Sequence, residues 1–431
     1  MDTGQLIMSI GIILLVARLF GSIFQYIGQP RVVGEMAAGI VLGPSVLGLF
    51  FPSASAHLFP ASSLPTLTSL SQLGLLLFMF VVGLEVDLKL ILKQRFTVVL
   101  TSNVSIVAPL VLGAAFARFI YPELAGEHVA FASFALFIGT AMSVTAFPVL
   151  ARILKEKNLL STDLGRVAIS CAAVDDVTAW LLLAIVTGVV HSAQSWPHLA
   201  GTMLALVAFI GIMLMLVRPA IEVLQLRLKE DDAEGRFFFV LILLMLAAGW
   251  ATDRLGVHPL FGAFMAGLVV PKDNGWAAKS VQRIESVTLA LLLPLFFALT
   301  GLRTRIDLLT GSRAWACAAV IIAIAISGKL AGAALASRLS GMEWRNCLAV
   351  GVLMNTRGLV ELVVLNAGLE LGILSSALFT MMVIMALVTT FMTAPLLGLL
   401  NVTAFQMSSA TQGSEVSRKP LIGDTSFTEV Q

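Results

Sequence analysis

The chain has 431 residues, 58% of them hydrophobic and only 12% charged, with a mean hydropathy of +0.97. A soluble domain carries about twice that charged share, so composition excludes an ordinary globular protein and predicts an all-α polytopic membrane protein whose solvent partner is the lipid bilayer. The net charge of +2 selects no polyanionic partner such as nucleic acid, and Cys171, Cys317 and Cys347 are too scattered to form a disulfide framework or a metal spacing.

Taken in order, the apolar runs predict about thirteen spans, near 4–24, 32–50, 69–88, 96–118, 129–153, 164–190, 199–226, 236–252, 257–271, 286–301, 314–338, 345–366 and 374–401. The first run lacks a basic flank and a small-residue cleavage site, so it reads as a permanent helix rather than a signal peptide. The second is short and carries Gly34, Gly39, Gly43 and Gly48 around Pro44, positions that let helix backbones approach closely. The ninth, around His258-Pro259, is also short, with Gly262 and Gly267. Residues 229–235 form a mixed-charge segment that reads as a solvated connector between two halves rather than a metal site. Residues 1–401 therefore form one membrane domain, and the polar stretch 402–431 is expected to be a disordered cytoplasmic tail.

Lys and Arg set the orientation. With the N-terminus outside, nineteen of them fall in cytoplasmic segments and five on the other face: Arg118, Arg254, Arg303, Arg305 and Arg313. The loop from Arg303 to Arg313 runs against the rule; the rest supports an odd number of spans and a cytoplasmic C-terminus.

Charge inside the spans is scarce, which makes the exceptions informative. The run from Val167 to Val190 contains two adjacent acids, Asp175 and Asp176. One acid at the bilayer centre costs roughly 2.5–3.5 kcal/mol, and two side by side repel. Such a pair needs a proton, a basic side chain or a transported cation. Span five carries Gly139-Thr-Ala-Met-Ser143-Val-Thr145-Ala-Phe-Pro148. Read alone, Pro148 is a kink in a packed helix; its freed carbonyls, with the Ser143 and Thr145 hydroxyls, would also suit a cation. In span eleven, Lys329 either snorkels to the interface or pairs with a buried acid, and the acid pair favours pairing. Span twelve holds Asn355-Thr-Arg357-Gly358 and Glu361. Arg357 and Glu361, four apart, read as a structural ion pair rather than direct ligands. Interrupted helices at corresponding places in two halves point to the substrate site of a secondary transporter.

The motifs Ser143-Val-Thr-Ala-Phe-Pro-Val-Leu-Ala-Arg-Ile-Leu154 and Ala173-Val-Asp-Asp-Val-Thr-Ala-Trp180 resemble the monovalent cation:proton antiporter-2 family. So do Gly34-Glu-Met-Ala-Ala-Gly-Ile-Val-Leu-Gly-Pro44, Gly83-Leu-Glu85, His258-Pro-Leu-Phe-Gly-Ala-Phe-Met-Ala-Gly267 and Asn355-Thr-Arg-Gly358. The resemblance runs from about Gln5 to Leu400. It implies inverted repeats with two interrupted crossing helices, a homodimer, and a mobile core domain that works by alternating access. It implies that Asp176 binds cation or proton in exchange, that Asp175 pairs with Lys329, and that Thr145 lies at the helix crossover. Two acids where other members have Asn-Asp resemble the electrogenic class. No cofactor is implied beyond the transported H⁺ and Na⁺ or K⁺. Members with a nucleotide-binding domain or a large soluble tail differ from this sequence, which suits a simple exchanger of a bacterial inner membrane.

Two rivals fit less well. A cation channel would show charged rings or a carbonyl filter. An intramembrane aspartyl protease needs acids that converge, whereas neighbours on one helix diverge by about 100°. An exporter of a larger organic ion on the same fold stays open.

Overall fold

The computed structural model describes residues 3–60, 62–85, 95–126, 129–160, 162–191, 196–227, 233–272 and 276–400. The expected tail, most of the expected connector, and Lys89 and Lys93 lie outside the described residues. The first half comprises α1 (Thr3–Tyr26), α2 (Arg31–Leu42), the short α3 (Leu47–Phe50) and α4 (Pro52–Leu58), α5 (Leu64–Glu85), α6 (Arg95–Leu124), α7 (Phe131–Ser143), α8 (Phe147–Glu156) and α9 (Asp163–His191). Helix α10 (Trp196–Ile212) passes through a π-helical turn at Met213–Val217 into α11 (Arg218–Arg227). The second half comprises α12 (Ala233–Arg254), α13 (Pro259–Leu268), α14 (Trp276–Val287), α15 (Leu293–Arg303), α16 (Gly311–Leu339), α17 (Trp344–Met354), α18 (Leu359–Glu370) and α19 (Ser376–Leu399). Among the described residues, ten helical stretches are long and apolar enough to cross a bilayer. The expected thirteen is reached only by counting short α13 and the broken pairs α7/α8 and α17/α18 as one crossing each.

Local chemistry explains the breaks. Pro148 falls in the first turn of α8 and Pro259 in the first turn of α13, where the missing N–H has no intrahelical partner to lose. Pro148 therefore opens a new helix instead of kinking a continuous one. His258 caps α13, its Nδ1 accepting the Leu260 N–H at 3.4 Å, and Ser375 caps α19 by accepting the Leu378 N–H at 3.3 Å.

The helices sort into two groups. Helices α1, α2, α5, α12, α13, α14 and α15 pack chiefly on one another and form a panel. Helices α6 to α9 and α16 to α19 form a second, tighter bundle. A small apolar cluster of Ile13, Leu42, Leu67, Leu295, Ala298 and Leu299 closes part of the panel, while the large core runs through the bundle around Phe134, Phe137, Leu353 and Phe379.

The panel repeats itself. In the first half, a Cβ at Gly34 would stand 2.5 Å from Phe20 O, and one at Gly39 would stand 2.3 Å from Ala298 O. In the second half, a Cβ at Gly262 would run into Ala248 O and one at Gly267 into Phe80 O. Glycine occurs at the same spacing in α2 and α13, and in each half the first glycine touches the preceding helix and the second touches the other half. With the broken pairs counted as single crossings, six passes lie between α2 and α13, so the two helices run in opposite directions and the halves are inverted relative to each other.

These contacts are backbone against backbone, so a methyl group cannot be accommodated by rotating a side chain. Gly39→Ala and Gly267→Ala are each expected to destabilise the protein by about 1–3 kcal/mol, the usual cost of overpacking. Gly201→Ala, where nothing lies within 4 Å, should be neutral or slightly stabilising. Thermal unfolding of detergent-purified variants measures both.

Candidate functional site

The two interruptions meet in the middle of the bundle. Between α7 and α8 the chain is extended at Val144 and Ala146, and between α17 and α18 it unwinds from Asn355 to Gly358. The Ala146 N–H donates to Thr356 O at 3.0 Å, joining the two breaks. Val144, Thr145, Ala146, Asn355, Thr356 and Arg357 are all buried. Irregular backbone survives at such depth only inside protein or along a cavity.

A helix break in a membrane leaves opposed partial charges: negative at the carbonyl end of one half, positive at the amide end of the other. Each has an answer here. Arg357 Nη1 donates to Ala141 O at 3.1 Å and Nη2 to Met142 O at 2.6 Å, so its guanidinium caps α7. The same Nη1 reaches Glu361 Oε1 at 3.2 Å, in the first turn of α18. The expected Arg357–Glu361 pair therefore forms across the break, without a continuous helix between its members. Thr145 Oγ1 donates to Met354 O at 2.9 Å at the end of α17. Thr390 on α19 fixes the second break, accepting the Arg357 N–H at 3.0 Å and donating to Arg357 O at 2.7 Å.

The two acids of α9 have opposite surroundings. Asp175 is saturated: Lys329 Nζ lies 2.8 Å from Oδ2, Ser102 Oγ 2.5 Å from Oδ1, and Thr145 Oγ1 and Ser105 Oγ lie 2.8 and 3.3 Å from Oδ2. Thr145 has a single proton and shares it between Asp175 and Met354 O; Ser105 likewise shares its proton with Ser102 O, its shorter bond at 2.9 Å. The Lys329 and Asp175 side chains are both fully buried. Asp176, equally buried, has no hydrogen-bond partner on either oxygen among the described residues. The Phe147 N–H at the start of α8 faces its carboxylate without reaching hydrogen-bond geometry. Thr140 Oγ1, Asn355 Oδ1 and Glu361 Oε2 are further buried oxygens without a partner among the described residues. Orphan oxygens of this kind suit a proton or a hard monovalent cation.

Ser143 is buried too, but its hydroxyl donates to Thr140 O at 2.8 Å within its own helix. Sequence reasoning missed Ser102, Ser105 and Thr390. Ser102 and Ser105 are three apart and so share a face of α6; a hydroxyl pair on one stripe of an apolar span was the available signal.

Residues 11–399 match the family described as "Sodium/hydrogen exchanger, transmembrane". The chain belongs to that family. It is 40% identical over 402 residues to the Na(+)/H(+) antiporter NhaS4 of Synechocystis sp., covering 92% of this chain and 98% of that protein. Identity is 39% to Cation/H(+) antiporter 17 of Arabidopsis thaliana and 36% to K(+)/H(+) antiporter 1 of Saccharomyces cerevisiae. Those alignments cover 91% and 89% of this chain but only 48% and 45% of the relatives, so the chain spans about half their length. The fold is shared with the sodium proton antiporter MjNhaP1 from Methanocaldococcus jannaschii. One structure of it gives a TM-score of 0.69 at 15% identity over 98% of this chain and 100% of that one. A second gives 0.59 at 16% identity over 92% and 98%.

Removing one member of a fully buried ion pair leaves an uncompensated charge, at a cost of about 3–5 kcal/mol. Lys329→Ala should therefore lower thermal stability sharply, and adding Asp175→Ala should recover part of the loss. A double mutant no more stable than Lys329→Ala alone would show that the pair is not coupled as the geometry requires.

Proposed function

We propose that this chain is a secondary antiporter that exchanges a monovalent cation for protons by alternating access, with Na⁺ as the first candidate and K⁺ as the alternative. The observation that carries this is the contrast between Asp175, within reach of four donors, and Asp176, with none among the described residues. Asp175 and Lys329 neutralise each other and stay with the protein. Asp176 is left to take its counter-charge from the cargo. A bare carboxylate is costly at that depth, so the site crosses the membrane loaded with a cation or a proton and not empty. Exchange without leak follows from that constraint.

In this reading Asp176 is the cation and proton site, with Thr145 holding Asp175 and the crossover together. Ser143 belongs to the same break and offers its lone pairs. Arg357 and Glu361 balance the half-helix ends and make no contact with cargo. Cation entry loosens the Asp175–Lys329 pair, and cation departure restores it. An electrogenic exchanger of this kind is driven by voltage as well as by pH, at about 2.3 kcal/mol per net charge per 100 mV. The N-terminus is outside, the C-terminus is cytoplasmic, and the panel supplies the interface of a homodimer.

The test is proton movement in proteoliposomes holding a pH gradient, with Na⁺, K⁺ or Li⁺ added in turn. Wild type should collapse the gradient with at least one cation, and Asp176→Asn should abolish the response while remaining folded. Robust exchange by that variant overturns the assignment of Asp176. A folded wild type that responds to none of the three moves the substrate to a larger organic cation.

Competition for one carboxylate also fixes the sign of the pH effect. Where protons already occupy most of the sites, the apparent KM for the cation should rise about tenfold per unit fall in pH, by linkage, with the maximal rate at saturating cation little changed. A KM independent of pH would mean that proton and cation use separate sites.

A further inference from the structure

Alternating access requires the bundle to shift against the panel, so some contacts across the seam between them must break in each cycle. On the face shared by the start of α5 and the end of α18, the seam contains a cavity of about 40 Å³, room for a few waters. The panel lines it with Ser71, Gln72, His258 and Thr300, and the bundle with Asn366 and Glu370. At its rim, Arg303 of panel helix α15 reaches across to bundle helix α18. Its Nη1 donates to Asn366 Oδ1 at 2.7 Å and to Glu370 Oε1 at 3.0 Å. Asn366 Nδ2 returns a bond to Thr300 Oγ1 at 3.3 Å, on the same panel helix as Arg303. Behind the cavity, the His258 ring centroid lies 6.0 Å from that of Trp180. Trp180 is 1% exposed and stands one turn beyond Asp176 on α9, on the same helix face and on the cavity side of it.

We propose that Arg303, Asn366 and Glu370 form a latch holding this mouth of the seam shut, with Trp180 against His258 as the plug between the cavity and Asp176. Cation reaches Asp176 from this face only after the latch parts and the plug moves with the bundle. The role rests on the exchange reading above; the bridge itself does not. Its strength suits repeated opening. The Arg303 and Glu370 side chains are 33% and 51% exposed, which places the pair among the weak, solvent-screened ones. The fully buried Asp175–Lys329 pair could not be broken and remade so cheaply without a replacement charge.

The test uses Ser71→Cys, a buried cavity position, as a reporter in a Cys317→Ser background, labelled with a membrane-impermeant maleimide from the Arg303 face. Arg303→Gln and Glu370→Gln should each speed labelling roughly two- to fivefold, the population shift expected for a half-exposed charged pair. The exchanged pair Arg303→Glu/Glu370→Arg should return labelling towards the parent rate. Equal rates in all of these proteins would overturn the latch. Labelling needs no transport, so it stays readable even if the exchange reading fails. In exchange-competent protein, an oxidised Arg303→Cys/Glu370→Cys cross-link should arrest proton movement until it is reduced. Undiminished exchange with the cross-link formed would show that this seam does not open.

Discussion

The Asp175–Lys329 ion pair is completely buried, and two ions taken out of water are tolerated only when their remaining hydrogen-bonding capacity is also met. Here the anion receives three hydroxyls from two other elements, α6 and the break after α7. Four helical elements therefore converge on one carboxylate: α9 carries it, α16 neutralises it, and α6 and the α7/α8 break solvate it. The packing of the bundle follows. Glycine lets these elements come close: a Cβ at Gly328 on α16 would meet Pro109 of α6 at 2.9 Å, and one at Gly139 on α7 would meet Leu110 O at 2.5 Å.

The broken helices solve a second electrostatic problem with the same economy of parts. Each break exposes carbonyls that water would otherwise satisfy, and no bilayer water is there to do it. Arg357 serves the α7 end and Thr145 the α17 end, so each break supplies the group that caps the opposite helix. Thr145 belongs to both circuits, since it also donates to Asp175. A movement of one half-helix is thereby felt at the acid pair through a single hydroxyl.

Much of this was legible because charge in an apolar run has few explanations. Asp175, Asp176, Lys329, Arg357 and Glu361 each stand out against their neighbours in the sequence, and Asn355-Thr-Arg357-Gly358 marks its own break. Span boundaries were legible for the same reason, from hydropathy and length. What sequence could not show was the destination of uncharged hydroxyls. Ser102 lies 73 residues from Asp175 in the chain, and a serine in an apolar helix more often bonds its own backbone, as Ser143 does here. The direction of Arg357 was hidden too. Spacing alone pairs it with Glu361, but the two shortest bonds of its guanidinium run to carbonyls of α7, more than 200 residues away. Pro148 was ambiguous taken alone, because a proline inside a helix and a proline opening one look alike; the second interruption at Asn355–Gly358 is what favoured a break, and the extended chain before Pro148 shows it.

The inverted repeat has a consequence for how many ions one chain handles. Helix α19 takes in the second half the place of α9 in the first, following the broken pair in each case. Where α9 carries two acids, α19 carries no ionisable side chain and instead buries Thr389, Thr390 and Thr393. The breaks differ likewise, with Thr145 in one and Arg357 in the other. The two halves are thus similar frames with different contents: one holds the acid pair, the other the Arg357–Glu361 pair and a row of buried threonines. In the proposed exchange, a chain built this way has a single turnstile, whatever the symmetry of its helices suggests.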